Sequence, residues 1–209
     1  MTSLPNKVAY ACAFGSITVI PTTFATMGHM AGMTMPAGII RTIAHNELSW
    51  AQAKQILRAS QHEGRRRGNT VIFTGKAVAI TVVANAPGHP DMSFEIGGLT
   101  NPTVAVSRGS SVTITLLNMD HGPDMDHGVV ITTTAPPYPV IVDRDLAGVL
   151  ARVGPLPPRS RASLAKSRYA ETSARFVARR AGVYHYVCPV PDHALAYRMY
   201  GRFLVENAP

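Results

Sequence analysis

Three different kinds of metal-binding side chain lie close together near the C-terminus of this sequence. Cys188 ends a run of β-branched and aromatic residues, and Met199 comes directly before the next such run. His193 lies between them, after a loop that contains Pro189 and Pro191. A thiolate and two imidazoles in a plane, with a weak axial thioether, form the ligand set of a blue-copper electron-transfer site. The segment therefore predicts a copper-binding loop that needs one more imidazole from elsewhere in the chain.

Two upstream histidines compete for the role of the second imidazole. His127 stands immediately before a β-branched run at 128–133, whereas His121 lies in a polar turn at 118–122. A residue at the start of a strand is held by the sheet, so we favour His127 and keep His121 as the alternative.

The predicted site holds one type 1 copper ion, and its four ligands are His127, Cys188, His193 and Met199. Zinc is the next metal to consider, but a single Cys with a Met nearby is a poorer zinc ligand set. A copper oxidase or a nitrite reductase needs further His-rich motifs for additional copper ions, and none is visible in the sequence. We therefore predict an electron-transfer protein with no catalytic residue and no small-molecule substrate. A copper-binding or copper-delivery protein remains the alternative.

The composition favours one β-rich domain with attachments. Of 209 residues, 46% are apolar and 15% charged, and 16 Pro and 17 Gly indicate many turns. Such a chain is expected to be packed rather than disordered, and it does not suit a helical bundle. The net charge of +8 comes from scattered basic residues, with one run at 65–67 that we interpret as a solvated turn after a helix. Nucleic acid is therefore not an expected partner.

The arrangement of short apolar runs predicts an all-β fold. Many β-branched runs are separated by Gly, Pro, Asn and Asp, as in a Greek-key β-sandwich. A helix is predicted before them at 47–61, with Asn46 as its N-cap. A long Pro-containing excursion at 134–172 interrupts the pattern, covers one end of the sandwich, and has a short helical turn around 146–153. The predicted strands are 70–74, 78–84, 93–96, 103–106, 112–117, 128–133, 175–178, 183–188 and 202–205.

The N-terminal region predicts export from the cytoplasm. Residues 8–20 are uncharged and apolar and suit the core of a signal peptide at 1–25, with an uncleaved anchor over 8–25 as the alternative. A lead-in rich in Met and His follows at 26–45, which is either a flexible segment or a Cu(I)-capture tail, before the domain at 46–209. Because Cys12 falls in the leader, the mature chain would carry Cys188 as its only thiol.

On these residues the chain resembles the rusticyanins, which are blue copper proteins of the cupredoxin family found in acidophilic iron oxidisers. The likeness runs over 48–205 and includes the early helix, Tyr138 after two prolines, the run 181–188, and the sequence Met-Tyr-Gly at 199–201. The resemblance implies a periplasmic, high-potential and acid-stable one-electron carrier, either soluble or anchored. It also implies a monomer that exchanges electrons with redox partners such as c-type cytochromes in a respiratory chain, as in iron oxidation.

The chain departs from this family at the predicted site. Five residues rather than four separate His193 from Met199, so we expect a longer or differently placed axial bond. Asp192 replaces a usual Gly, and Asp120 stands where the family tends to have an Asn that braces the copper loop. With two further Asp residues at 124 and 126, the approach to the first histidine is acidic. Anions near copper stabilise its oxidised state, which predicts a lower potential than that of typical rusticyanins.

Overall fold

The computed structural model describes residues 44–207 of the chain. The predicted leader at 1–25 and the segment 26–43, which holds almost all of the predicted lead-in, lie outside the described residues. The described strands are β1 (Asn46–Ser49), β2 (Arg65–Arg67), β3 (Thr70–Phe73), β4 (Ala77–Ala84), β5 (Phe94–Ile96), β6 (Leu99–Thr100), β7 (Thr103–Ser107), β8 (Ser111–Asn118), β9 (His127–Thr132), β10 (Ala151–Leu156), β11 (Arg168–Val177), β12 (Gly182–Val187) and β13 (Tyr200–Glu206). The α-helices are α1 (Trp50–Ser60) and α2 (His193–Tyr197), and short 3-10 turns cover Val142–Arg144 and Leu164–Lys166.

The strands form two sheets that pack face to face. The six-stranded sheet has the order β1-β11-β8-β4-β5-β6, and the seven-stranded sheet has the order β10-β9-β12-β13-β7-β3-β2. Most neighbours are antiparallel, while β4 with β8, β7 with β13 and β3 with β7 are parallel. The predicted all-β sandwich is confirmed.

Alternation along the strands builds the core between the sheets. In β8, Val112, Ile114 and Leu116 are buried, while Thr113 and Thr115 between them are half-buried. Successive strand residues face opposite sides, so these three side chains point into the space between the sheets. There they join a cluster of buried side chains that includes Cys188 and Met199, so the candidate site is continuous with the core.

Helix α1 begins three residues later than the sequence predicts. Ser49, not Asn46, is its N-cap: the Ser49 side chain accepts from the Gln52 amide, and the Gln52 side chain accepts from the Ser49 amide. This reciprocal capping box satisfies two backbone donors and sets the start of the helix. The residues before it form β1 instead, paired with β11.

The predicted excursion at 134–172 contains a strand that the sequence pattern does not predict. The helical turn expected around 146–153 is wrong, because β10 starts at Ala151 and pairs antiparallel with β9 at the edge of the seven-stranded sheet. Ala151 and Val153 alternate into the core, which favours a strand over a helix. Strand β11 also begins at Arg168 rather than at 175.

The arginine run at 65–67 is a strand rather than a turn. It forms β2, which pairs with β3 at the edge of the seven-stranded sheet, and all three residues are exposed. Charged side chains on an edge strand discourage pairing with another chain. Within residues 44–207, no helix is both long and apolar enough to cross a membrane.

Candidate metal centre

Strand pairing brings the upstream histidine to the cysteine. His127 is the first residue of β9, and Cys188 directly follows the last residue of β12. These strands are antiparallel neighbours, with Val187 opposite Val130, so the start of one lies beside the end of the other. The two side chains are 61 positions apart in the chain and meet at one end of the sandwich.

His193 and Met199 come from the loop that follows. His193 is the first residue of α2, and its carbonyl accepts a hydrogen bond from the Met199 amide at 3.1 Å. The Cys188 amide donates to the Met199 carbonyl at 3.0 Å, which extends the β12–β13 ladder by one step. The one-turn helix α2 accommodates the five residues between His193 and Met199. The two backbone hydrogen bonds hold Met199 next to both Cys188 and His193.

Two residues of this loop have left-handed backbone conformations. Asp192, before α2, has φ of +66°, and Arg198, after it, has φ of +55°. Glycine adopts this region without strain, and Asp tolerates it better than most residues. The position of Asp192 therefore suits a glycine, as the resemblance implied, and an aspartate is an acceptable substitute.

The three ligand atoms lie close enough together to hold one metal ion. The Cys188 sulfur is 3.9 Å from Nδ1 of His127 and 3.4 Å from Nδ1 of His193. All three donor atoms are within 4.8 Å of one another. Metal bonds of about 2.3 Å to sulfur and about 2.0 Å to nitrogen, arranged about 120° apart, would separate sulfur and nitrogen by about 3.7 Å. The observed distances fit that trigonal arrangement.

Burial separates this cluster from bulk water. His127 and Cys188 are 0% exposed and His193 is 5% exposed. Met199 is also 0% exposed and belongs to the core cluster that contains Cys188. His121, the alternative upstream histidine, is exposed and is not part of the three-residue cluster.

Comparison with known proteins agrees with this geometry. The chain is 30% identical over 191 residues to rusticyanin from Acidithiobacillus ferridurans, which covers 88% of this chain and 94% of that protein. The chain belongs to the rusticyanin family. Solved structures agree: rusticyanin from Thiobacillus ferrooxidans superposes with a TM-score of 0.68 at 31% identity, covering 78% of this chain and 97% of that one. A second solved rusticyanin, described as a copper protein, gives a TM-score of 0.67 at 30% identity over 78% of this chain and 98% of its own. No family model matches the sequence.

The cofactor expected from the sequence is confirmed at the level of the family. Rusticyanins are type 1 copper proteins, and the cluster of His127, Cys188 and His193 fits a single copper site. One thiolate and two imidazoles are the equatorial donors of such a site. Membership of the rusticyanin family indicates that the chain is a blue copper electron carrier.

Burial also shifts the proton affinities of the donors. Burial raises the pKa of the Cys188 thiol to about 12, although amide hydrogen bonds from Gly128 and Val190 pull it down in part. The metal-free thiol therefore keeps its proton, and metal binding must release it. Burial, followed by the neighbouring His127, lowers the pKa of His193 to about 4. That imidazole stays neutral, as a metal ligand must be, even in moderately acidic solution.

The side of the His127 ring that faces away from the Cys188 sulfur makes a contact that the sequence does not predict. Nε2 of His127 is 2.8 Å from Oδ2 of Asp120, which is 4% exposed. The sequence indicated Asp120 as a replacement for the bracing Asn of the family and as one of three acidic residues before His127, but not as a partner of the His127 ring. No spacing rule predicts the contact, because it depends on how the loop between β8 and β9 folds back.

Proposed function

We propose that this protein is a periplasmic one-electron carrier of a respiratory chain, and that it holds one type 1 copper ion with His127, Cys188, His193 and Met199. The observation that carries the proposal is the buried Cys188 sulfur, 3.9 and 3.4 Å from the nitrogens of two imidazoles. When bound, the ion would supply reversible one-electron Cu(I)/Cu(II) chemistry. Membership of the rusticyanin family supports this assignment.

The protein's contribution is a fixed arrangement of donors. His127 and Cys188 are attached to paired strands, and backbone hydrogen bonds tie His193 and Met199 to the same loop. Donors held in this way move little when an electron arrives or leaves. Their burial also excludes water, which favours a permanent site over the exchangeable site that a copper-delivery protein would need.

The proposed route for the electron is the edge of the His193 ring. His193 is the least buried of the three clustered donors, and the exposed side chains of Leu195 and Tyr197 project from the same short helix. With the half-buried Pro189 and Val190, these residues form the surface we call the apolar rim. Exposed apolar surface on a small carrier suits brief contact with another protein. We propose a c-type cytochrome as that partner, a monomeric carrier, and a role in iron oxidation.

The visible spectrum of the purified protein tests the proposal. With one equivalent of Cu(II), we expect an intense thiolate-to-copper band that disappears on reduction and returns on reoxidation. The Cys188→Ser variant should fold but lack the intense band, because a hydroxyl cannot replace the soft thiolate. A wild-type protein that stays colourless with Cu(II) under oxidising conditions contradicts the proposal. Rapid loss of the metal to a chelator would instead support copper delivery.

A further inference from the structure

The carboxylate of Asp120 is buried against the ring edge of His127 that faces away from the sulfur. Oδ2 lies 2.8 Å from Nε2 of His127, and Oδ1 accepts a hydrogen bond from the His121 amide at 2.7 Å. Within the described residues, no Lys or Arg nitrogen lies within 4.0 Å of this carboxylate, and the His127 ring is the one basic group within that distance. Asp120 is therefore a buried anion directed at one ring nitrogen.

The position of Asp120 is itself fixed by Asn118 at the end of β8. The Asn118 side-chain oxygen accepts from the Asp120 amide at 3.0 Å. The two N–H groups of its side-chain amide are shared among the carbonyls of Met125, Leu156 and Pro157 at 3.0, 2.9 and 3.0 Å. Asn118 is 0% exposed, so these bonds form without competition from water. The end of β8, the loop before β9 and the end of β10 are thereby joined around Asp120.

This contact determines which nitrogen of His127 is available to a metal. A neutral imidazole carries one proton, and a carboxylate beside Nε2 favours the tautomer with the proton on Nε2. The lone pair then lies on Nδ1, which is the atom 3.9 Å from the Cys188 sulfur. Both carboxylate oxygens of Asp120 have hydrogen-bond partners, the His121 amide at Oδ1 and the His127 ring at Oδ2, which is the arrangement that an ionised carboxylate prefers.

We propose that Asp120 is the positioning residue of the metal centre: it holds His127 in the Nε2-protonated tautomer and supplies the negative charge that stabilises the oxidised metal. The role builds on the copper site of the proposed function. It also separates Asp120 from the other acidic residues of the same loop, because Asp124 is exposed and Asp126 is half-buried. A carboxylate hydrogen-bonded to a ligating imidazole orients the ring and raises its basicity, whereas an exposed carboxylate is screened by water.

Two variants of Asp120 separate its charge from its hydrogen bond. Asp120→Asn keeps an acceptor of the same shape but removes the charge, and Asp120→Leu removes both. Asp124→Asn is the matched control, since it removes one charge from the same loop without touching His127. We expect Asp120→Asn to lower the preference for Cu(II) over Cu(I) about tenfold, which raises the midpoint potential by about 59 mV. Asp124→Asn should change it less than twofold. Equal shifts in the two variants would overturn the role of Asp120.

The tautomer of His127 is measured without copper. Nitrogen-15 NMR of the metal-free wild-type protein should show His127 protonated on Nε2. The Asp120→Leu variant should give a mixture of tautomers, while its backbone amide spectrum remains that of a folded protein. A wild-type His127 protonated on Nδ1 would overturn the inference, even in a protein that turns blue with copper. Conversely, a colourless protein with the expected tautomer would count against the copper carrier and not against the Asp120–His127 pair.

Discussion

At the residue scale, the donors differ in how far the sequence could locate them. Cys188 and His193 belong to one loop, so their residue types and spacing alone indicate a metal site. Its place at the start of a strand favours His127 over His121, and the structure places His127, not His121, beside the sulfur. The Asp120 contact could not be predicted, because it requires the loop before β9 to fold back onto the first residue of that strand.

The first prediction at this scale concerns the sulfur of Met199. Replacing its sulfur with carbon in Met199→Leu should leave the blue colour but raise the midpoint potential, by about 59 mV if the Cu(I) preference rises tenfold. The physical reason is that a weak axial donor stabilises Cu(II) more than no donor does. Redox titration of the copper-loaded protein measures the shift.

A buried methionine elsewhere gives the matched control for this prediction. Met119 is 2% exposed but belongs to the cluster beneath α1 rather than to the one that contains Cys188. Met119→Leu makes the same chemical change with the same kind of packing cost. If both variants shift the potential alike, or if Met199→Leu leaves spectrum and potential unchanged, Met199 is not the axial ligand.

At the scale of elements, sequence periodicity predicted most inner strands well, with the first seven residues of β11 as the exception, and the edge elements poorly. Alternation in β8 is clear from Val112 to Leu116 because one face of the strand packs in the core, whereas β4 is a mostly apolar run whose last five residues are all buried. Edge strands β1, β2 and β10 carry weaker signals: a four-residue run before a capped helix, three arginines, and a segment with Gly154-Pro155. Tertiary pairing decides such segments, and a single sequence does not contain that information in its local pattern.

A buried carboxylate that joins α1 to the β5–β6 hairpin leads to the second prediction. Glu95 is 0% exposed; its Oε2 accepts from the Ser60 hydroxyl at 2.9 Å, and its Oε1 accepts from the Gly98 amide. Burial raises the pKa of Glu95, partly offset by these hydrogen bonds and by Arg66, while Glu63 adds to the rise.

The sign of the pH effect follows from that direction. Between the ordinary pKa of a glutamate and the raised folded-state value, the folded protein binds more protons than the unfolded chain. The free energy of unfolding must therefore fall as pH rises through this window, by at most about 1.4 kcal/mol per pH unit from one group. The Glu95→Gln variant cannot ionise, so its stability relative to the wild type should improve as pH rises.

Chemical denaturation at several pH values measures this difference. Glu206→Gln, which removes an exposed carboxylate at the end of β13, is the control and should follow the wild-type pH profile. A Glu95→Gln profile parallel to the wild type would show that Glu95 does not set this part of the acid stability. The expected effect of Glu95 is to make the folded protein more stable at lower pH. The low number of carboxylates, 12 of 209 residues, acts in the same direction because few ionised acidic groups have to be protonated in acid.

At the scale of the whole molecule, the candidate metal centre lies at one end of the sandwich, and the same strands carry exposed residues at the opposite end. The proposed donors lie where β12 ends and β9 begins, and the apolar rim belongs to the loop between Cys188 and Met199 at this end. Val183 lies near the start of β12, at the far end, and is 51% exposed. Leu195, in α2 beside His193, is 49% exposed. Two aliphatic side chains of similar exposure thus mark the two ends.

The last prediction uses this pair to locate the docking surface. Leu195→Thr should slow electron transfer between the reduced copper protein and an oxidised soluble c-type cytochrome by roughly tenfold, because losing about 1–1.5 kcal/mol of apolar contact weakens the encounter complex. The visible spectrum and the midpoint potential should stay as in the wild type, since the Leu195 side chain is exposed and is not a donor. Val183→Thr makes the same kind of change, from an exposed aliphatic side chain to threonine, at the far end and should leave the rate unchanged. Stopped-flow measurement at several cytochrome concentrations separates a weaker encounter from a slower transfer step. If Val183→Thr slows the reaction as much as Leu195→Thr, or if neither does, electrons do not leave through the apolar rim around His193.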